Sequence, residues 1–119
     1  MRQWVMFGIV LSAAVLLWKS QSPSHNASAA DIAALASAVR ADEIVIYTTS
    51  TCSYCKQALH WLDQQGFSYT DCNMSTTPRC EQEFLIYGAK GTPYLVVRGH
   101  HMKNGFDSDE FIHALKQKG

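Results

Sequence analysis

The chain has 119 residues, 47% of them hydrophobic and 17% charged, and its ten basic residues are balanced by ten acidic ones. A formal net charge of zero argues against nucleic acid or an anionic surface as the main partner, since both are held by an excess of positive charge. The hydrophobic share is that of a globular protein, and no internal repeat or low-complexity array is present.

The first segment stands apart from the rest. Arg2 is followed by an uncharged, mostly apolar run from Gln3 to Trp18, closed by Lys19. A spanning helix takes ~20 apolar residues and a signal-peptide core ~7–15, and this run lies between the two. Ala27-Ser28-Ala29 has the form of a cleavage site but lies far beyond the apolar core. The expectation for residues 1–19 is therefore an export signal, an uncleaved anchor in preference to a cleaved peptide. A buried helix of the domain is the weaker reading, because the run has no polar face. Residues 20–41 read as a linker that contains a short amphipathic helix. In it Ile32, Leu35, Ala36 and Val39 follow at i, i+3, i+4 and i+7, which suits packing on the domain or service as a stalk. Residues 42–119 form the domain proper, about 78 residues and enough for one small core.

Glu43 to Thr48 is a β-branched and aromatic run that predicts a buried strand. Thr49-Ser50-Thr51 supplies turn and capping side chains, and Ser53 to Gln65 predicts a helix with Cys55, Leu59 and Leu62 on one face. Cys52 and Cys55 thus fall where a strand ends and a helix begins. Unpaired N–H groups and the positive end of the helix dipole favour thiolate there, lowering a cysteine pKa from about 8.5 to roughly 3.5–7.5. The i, i+3 spacing sets both sulfurs on one helix face, close enough to bridge. Cys52, nearer the helix start, is the expected attacking thiolate, with Lys56 one turn on as a cationic neighbour. Cys55 is the expected resolving thiol. Two inert core cysteines, or zinc ligands sharing the C-x-x-C spacing, are the competing readings.

Gly66 suits the end of the first helix, and alternating Phe67-Ser68-Tyr69-Thr70 predicts a second strand. Thr77-Pro78 opens a helix to about Tyr87, and Gly88 ends it. Gly91-Thr92-Pro93 leads into a third strand, Tyr94 to Arg98; Gly99 turns the chain, and His100 to Lys103 makes a fourth. After Asn104-Gly105-Phe106, Asp107 caps a last helix, with Glu110 completing a capping box and Phe111, Ile112 and Leu115 forming the apolar face. The order β-α-β-α-β-β-α predicts an α/β domain with a mixed sheet whose first two strands are parallel. Cys72 and Cys80 admit two readings. One is a disulfide across the polar loop, supported by an export signal. In the other, Cys80 is a small hydrophobe in a stripe with Phe84 and Tyr87. The disulfide is the preferred reading. Their wide spacing is wrong for a zinc knuckle, so no metal is expected.

Over Glu43 to Gln117 the sequence resembles the glutaredoxins, members of the thioredoxin-like superfamily. The resemblance is carried by Cys52-Ser53-Tyr54-Cys55 after the first strand, Gly91-Thr92-Pro93 before the third, and Gly105-Phe106-Asp107 before the last helix. It implies a thioredoxin-like fold, a four-stranded mixed sheet flanked by three helices, here preceded by the N-terminal hydrophobic helix and the short amphipathic one. It implies a thiol–disulfide oxidoreductase in electron transport, with Cys52 and Cys55 catalytic and glutathione as co-substrate. Thr51, Tyr54, Lys56, Thr92, Pro93, Gly105, Phe106 and Asp107 would surround the substrate or glutathione. By the same resemblance the Thr92-Pro93 bond is cis, and Asp107 meets the amino group of the γ-glutamyl arm. Ser53 stands where many family members have proline, and some members with this change resemble carriers that hold a [2Fe–2S] cluster between two subunits. Thr49 stands where many carry a basic residue, so Lys56 or Lys90 would have to meet the glutathione carboxylate. Asn104 replaces the first glycine of a pair. The expected partners are disulfide-bearing proteins or glutathione, and the membrane through the N-terminal segment; the protein is expected to be a monomer. The Arg2 and Lys19 flanks give a slight N-in bias, which sets the catalytic domain on the periplasmic, non-cytoplasmic side.

Overall fold

The computed structural model describes residues 28–118. The expected export segment, residues 1–19, and the first part of the linker, residues 20–27, lie outside them. Among the described residues no helix is long and apolar enough to cross a membrane.

The elements in chain order are α1 (Ala29–Ala38), β1 (Ile44–Thr48), α2 (Ser53–Gln65), β2 (Thr70–Asn73), α3 (Pro78–Ile86), β3 (Tyr94–Val97), β4 (His100–Met102) and α4 (Ser108–Lys118). The sheet runs β2-β1-β3-β4, with β1 parallel to β2 and β3 antiparallel to both β1 and β4. Strand alternation divides the interior into two clusters. Ile44, Ile46, Leu95 and Val97 are fully buried on one face, under Ala58 and Leu62 of α2 and Phe111 and Leu115 of α4. Tyr47, Cys72 and Tyr94 point to the opposite face, where Cys80 and Phe84 of α3 cover them. Side chains of successive strand residues leave on opposite sides, so the four apolar residues Ile44–Tyr47 feed both clusters.

The amphipathic segment before the domain packs on it. Ala36 and Val39 are buried in the main cluster, with Ile32 and Leu35 against it. Ser28 and Asp31 close a reciprocal capping box at the start of α1. Beside the start of β1, Arg98 and Gly99 form a two-residue hairpin with positive φ at both positions, 47° and 83°. The Arg98 side chain bonds the Glu43 carboxylate and the Leu115 carbonyl, tying the hairpin to the residue before β1 and to α4.

Three sequence expectations are corrected. The second strand is Thr70–Asn73, not Phe67–Thr70. Phe67 leaves α2 through the Gly66 cap, stacks on Trp61 and meets Phe111 edge-on, while the Tyr69 hydroxyl donates to Asp63. Their alternation reflects packing onto the end of α2, and the polar residues Thr70 and Asp71 take the ladder positions opposite Val45 and Ile46. The capping box at α4 is half made: Asp107 accepts the Glu110 N–H, but the Glu110 carboxylate turns to His100 of β4. Finally, the N-cap of α2 is Cys52 itself rather than Thr49, Ser50 or Thr51.

Candidate active site

β1 ends at Thr48, and the chain turns through Thr49–Thr51 before α2 starts at Ser53. This turn delivers Cys52 to the N-cap, where its sulfur accepts the Cys55 N–H at 3.1 Å and its carbonyl accepts the Lys56 N–H at 3.2 Å. Cys52 and Cys55 form a disulfide, with Cα atoms 5.2 Å apart. Cys52 is half-buried, whereas Cys55 is 1% exposed beneath the first turn of α2. Of the two sulfurs, only that of Cys52 can be met from solvent.

The loop before β3 comes to the same point. The Thr92–Pro93 peptide is cis, and the Thr92 hydroxyl donates to the Cys52 sulfur at 3.3 Å. The sulfur therefore has two donors, from α2 and from this loop, and sits at the positive end of a 13-residue helix. Each favours negative charge on sulfur, so the reduced form is arranged to hold Cys52 as thiolate.

A groove of about 540 Å³ opens beside Thr92, lined by Tyr54, Gln57, Ala58 and Trp61 of α2, Thr92 and Pro93, and the loop Asn104–Phe106. Tyr54 is 71% exposed at its rim. Trp61 lies at 5.3 Å, centroid to centroid, from Phe106 and 5.6 Å from Phe111, so the groove floor is continuous with the main core. Of the residues expected around substrate, Tyr54, Thr92, Pro93, Gly105 and Phe106 come together here. Thr51 and Lys56 are exposed outside the lining, and Lys56 makes no ion pair or side-chain hydrogen bond among the described residues. Asp107, also exposed, caps α4 through the Glu110 N–H just past the groove loop. Cys72 and Cys80 are far from this groove, joined in a second disulfide on the opposite face of the sheet. Gln57 and Trp61 were not anticipated. The signal was present, because Tyr54, Gln57 and Trp61 follow at i, i+3 and i+7 and so share one face of α2.

A polar cluster lies on the opposite face of the sheet, beside the second disulfide. The Tyr47 hydroxyl donates to Glu83 at 2.7 Å, and Glu83 pairs with Arg79 at 2.6 Å. Burial, and then the bond to Glu83, pushes the Tyr47 phenol far above its ordinary range. The same hydroxyl, and then Arg79, holds the Glu83 carboxyl below the ordinary range.

Residues 44–102 match the family model described as Glutaredoxin. No curated protein matches the chain by sequence. Among solved structures, a point variant of the thioredoxin-like protein BC3987 aligns with TM-score 0.58 at 20% identity, over 63% of this chain and 96% of that one. The holo form of glutaredoxin C1 from Populus tremula x tremuloides aligns with TM-score 0.52 at 20% identity, over 79% and 100%. Wheat glutaredoxin follows with TM-score 0.50 at 18% identity, over 74% and 92%. At these identities the likeness is one of fold, a thioredoxin-like α/β domain with a four-stranded mixed sheet and four helices.

Proposed function

We propose that this domain is a glutaredoxin-type thiol–disulfide oxidoreductase in which Cys52 attacks and Cys55 resolves. The reading is carried by one observation: a half-exposed sulfur at the N-cap of α2 receives the Cys55 N–H and the Thr92 hydroxyl. In the reduced protein the Cys52 thiolate attacks one sulfur of a substrate disulfide. A mixed disulfide forms, and the other substrate sulfur leaves as thiolate. Cys55 then loses its proton and attacks the Cys52 sulfur, which releases the second substrate thiolate and leaves the Cys52–Cys55 disulfide. Two electrons have passed to the substrate, and two equivalents of an external thiol restore the dithiol. Burial of Cys55 assigns it the second step, since an incoming disulfide meets Cys52 first.

Glutathione is the proposed external thiol. The groove beside Thr92 offers Tyr54 and Phe106 as walls and the Thr92 backbone for an extended peptide to pair with. Lys56 is free to meet a glutathione carboxylate in place of the missing base at Thr49. The substrates are disulfide-bearing proteins or mixed disulfides with glutathione. The domain works as a monomer on the non-cytoplasmic side, held there by the segment before Lys19.

Ser53, beside Cys52, admits the [2Fe–2S] carrier as a second reading. A cluster takes four thiolates, and this chain offers one accessible sulfur. Cys52 from each of two copies and two external thiols would complete the set. Anaerobic purification followed by a disulfide-reduction assay tests both readings. A colourless monomer that reduces a mixed glutathione disulfide supports the oxidoreductase; a brown, inactive dimer overturns it in favour of the carrier.

A further inference from the structure

The two sulfur pairs lie on opposite faces of the sheet, yet one short segment connects them. Residues 72–80 form a covalently closed ring, in which the chain leaves β2 at Asn73, crosses to α3 and is joined to itself by Cys72 and Cys80. Asn73 organises the inside of this ring. Its side-chain oxygen accepts the Ser75 N–H at 2.9 Å, and its carbonyl accepts the Thr77 N–H at 2.9 Å. Three bonds then reach from the ring to the segment that carries Cys52. The Met74 N–H donates to the Thr48 carbonyl at 2.8 Å. The Ser75 hydroxyl accepts the Ser50 N–H at 3.1 Å, and the Asn73 side-chain nitrogen donates to the Ser50 hydroxyl at 3.3 Å. Ser50 stands two residues before Cys52, whose own N–H bonds the Thr49 carbonyl.

We propose that the disulfide-closed loop Asn73–Thr77 is a latch on the Thr49–Thr51 turn, and that Asn73 and Ser75 are positioning residues for the Cys52 sulfur. The proposal rests on the oxidoreductase reading and adds to it what holds the nucleophile in place. Thr49–Thr51 belong to neither β1 nor α2, so no strand ladder or helix fixes them. A thiolate at an N-cap is favoured only while its donors stay aimed at it. Loosening the turn misaligns the Cys55 N–H and the Thr92 hydroxyl, and the Cys52 pKa rises. The buried disulfide contributes without touching the site, because closing the ring narrows the conformations open to Asn73 and Ser75.

The test uses the full chain with Cys52–Cys55 reduced, and reads the rate of carbamidomethylation at Cys52 against pH by peptide mass spectrometry. Ser75→Ala, and separately Cys72→Ala/Cys80→Ala, should raise the apparent Cys52 pKa and slow alkylation at pH 6 roughly threefold to tenfold. Ser75→Thr keeps the hydroxyl and should titrate as wild type. Ser75 is exposed, so Ser75→Ala leaves the melting temperature unchanged and separates positioning from stability. Wild-type titration in Ser75→Ala overturns the latch. Wild-type titration in the double-cysteine variant, with Ser75→Ala shifted, overturns the part given to the disulfide. Alkylation needs no substrate, so a chain that reduces no disulfide but still shows these shifts sinks the oxidoreductase reading and supports the latch.

Discussion

Two disulfides lie within one small domain, made of the same atoms and set in opposite surroundings. Cys52–Cys55 spans two residues at a helix start, with one sulfur half-exposed and two hydrogen-bond donors aimed at it. Cys72–Cys80 joins β2 to the first turn of α3, with its cysteines 3% and 1% exposed among Tyr47, Tyr94 and Phe84. The first has access and stabilisation for a thiolate leaving group; the second has neither. Reactivity is thus set by solvent access and local polarity rather than by the presence of a bond between sulfurs. The face of the sheet on which each pair falls decides which surroundings it has.

The sharpest way to break this contrast is to delete one sulfur at each pair. Cys52→Ser should lower disulfide reduction to the uncatalysed background, whereas Cys80→Ala should leave turnover measurable. Cys55→Ser should still attack and should accumulate mixed disulfides, visible as mass adducts on Cys52. Full activity in Cys52→Ser would reverse the assignment of nucleophile and resolver.

The complementary loss belongs to the second pair. Removing Cys72–Cys80, which closes a ring with a sequence separation of 8, should cost about 2–3 kcal/mol by loop-closure entropy. For a domain of this size that corresponds to a fall of roughly 10–20 °C in melting temperature, readable by calorimetry. A double-alanine variant that melts with the wild type would show that the buried pair has no structural weight.

A smaller effect sharpens the comparison at the first site. Thr92→Val keeps the shape of the loop but removes the hydroxyl that reaches Cys52. Losing a hydrogen bond to a charged group should raise the Cys52 thiolate pKa by about one unit, measured as absorbance near 240 nm against pH. The thiolate form is then scarcer below neutral pH, and the reduced state is less favoured. No upward shift would mean that the helix terminus alone stabilises the sulfur.

The smallest effect is expected beside the second pair, at Glu83. Its folded pKa is lowered, chiefly by the Tyr47 hydroxyl, so its contribution is present above the unfolded carboxyl pKa of about 4.3 and is lost as pH falls through the folded value. Glu83→Gln should flatten the stability curve in that acidic window by roughly 0.5–1 kcal/mol, the exposure of Arg79 screening the rest. Urea titrations at a series of pH values would detect it; a slope as steep as that of wild type would place the titration elsewhere.

Much of this was legible along the chain. The strand Ile44–Thr48 declared itself by β-branched density, α2 by helix-forming residues ending at Gly66, and the redox pair by its place between them. The second strand was misread because Phe67 and Tyr69 alternate as strand residues do, while the true strand, Thr70–Asn73, carries Thr, Asp and Asn. Pairing with β1 overrides weak local propensity there, and no window of residues contains that partner. Gln57 and Trp61 were passed over for a related reason. Their shared face on α2 is local, but only the Asn104–Phe106 loop, more than 40 residues on, turns that face into a groove wall.

Local pattern was sufficient for whatever depends on neighbours in sequence: the order of elements, the position of Cys52 before a helix, and the cap at Asp107. Spacing alone could not orient Cys72 and Cys80. Their pairing needed β2 and α3 to cross on one face of the sheet, bringing Cα atoms eight residues apart to 5.4 Å. The meeting of Thr92 with Cys52 likewise spans 40 residues and exists because β3 lies antiparallel beside β1, delivering the loop before β3 to the point where β1 ends. Sequence carries the chemical character of each group, whereas the distance between two groups far apart in the chain is a property of how strands pair and which face each side chain takes.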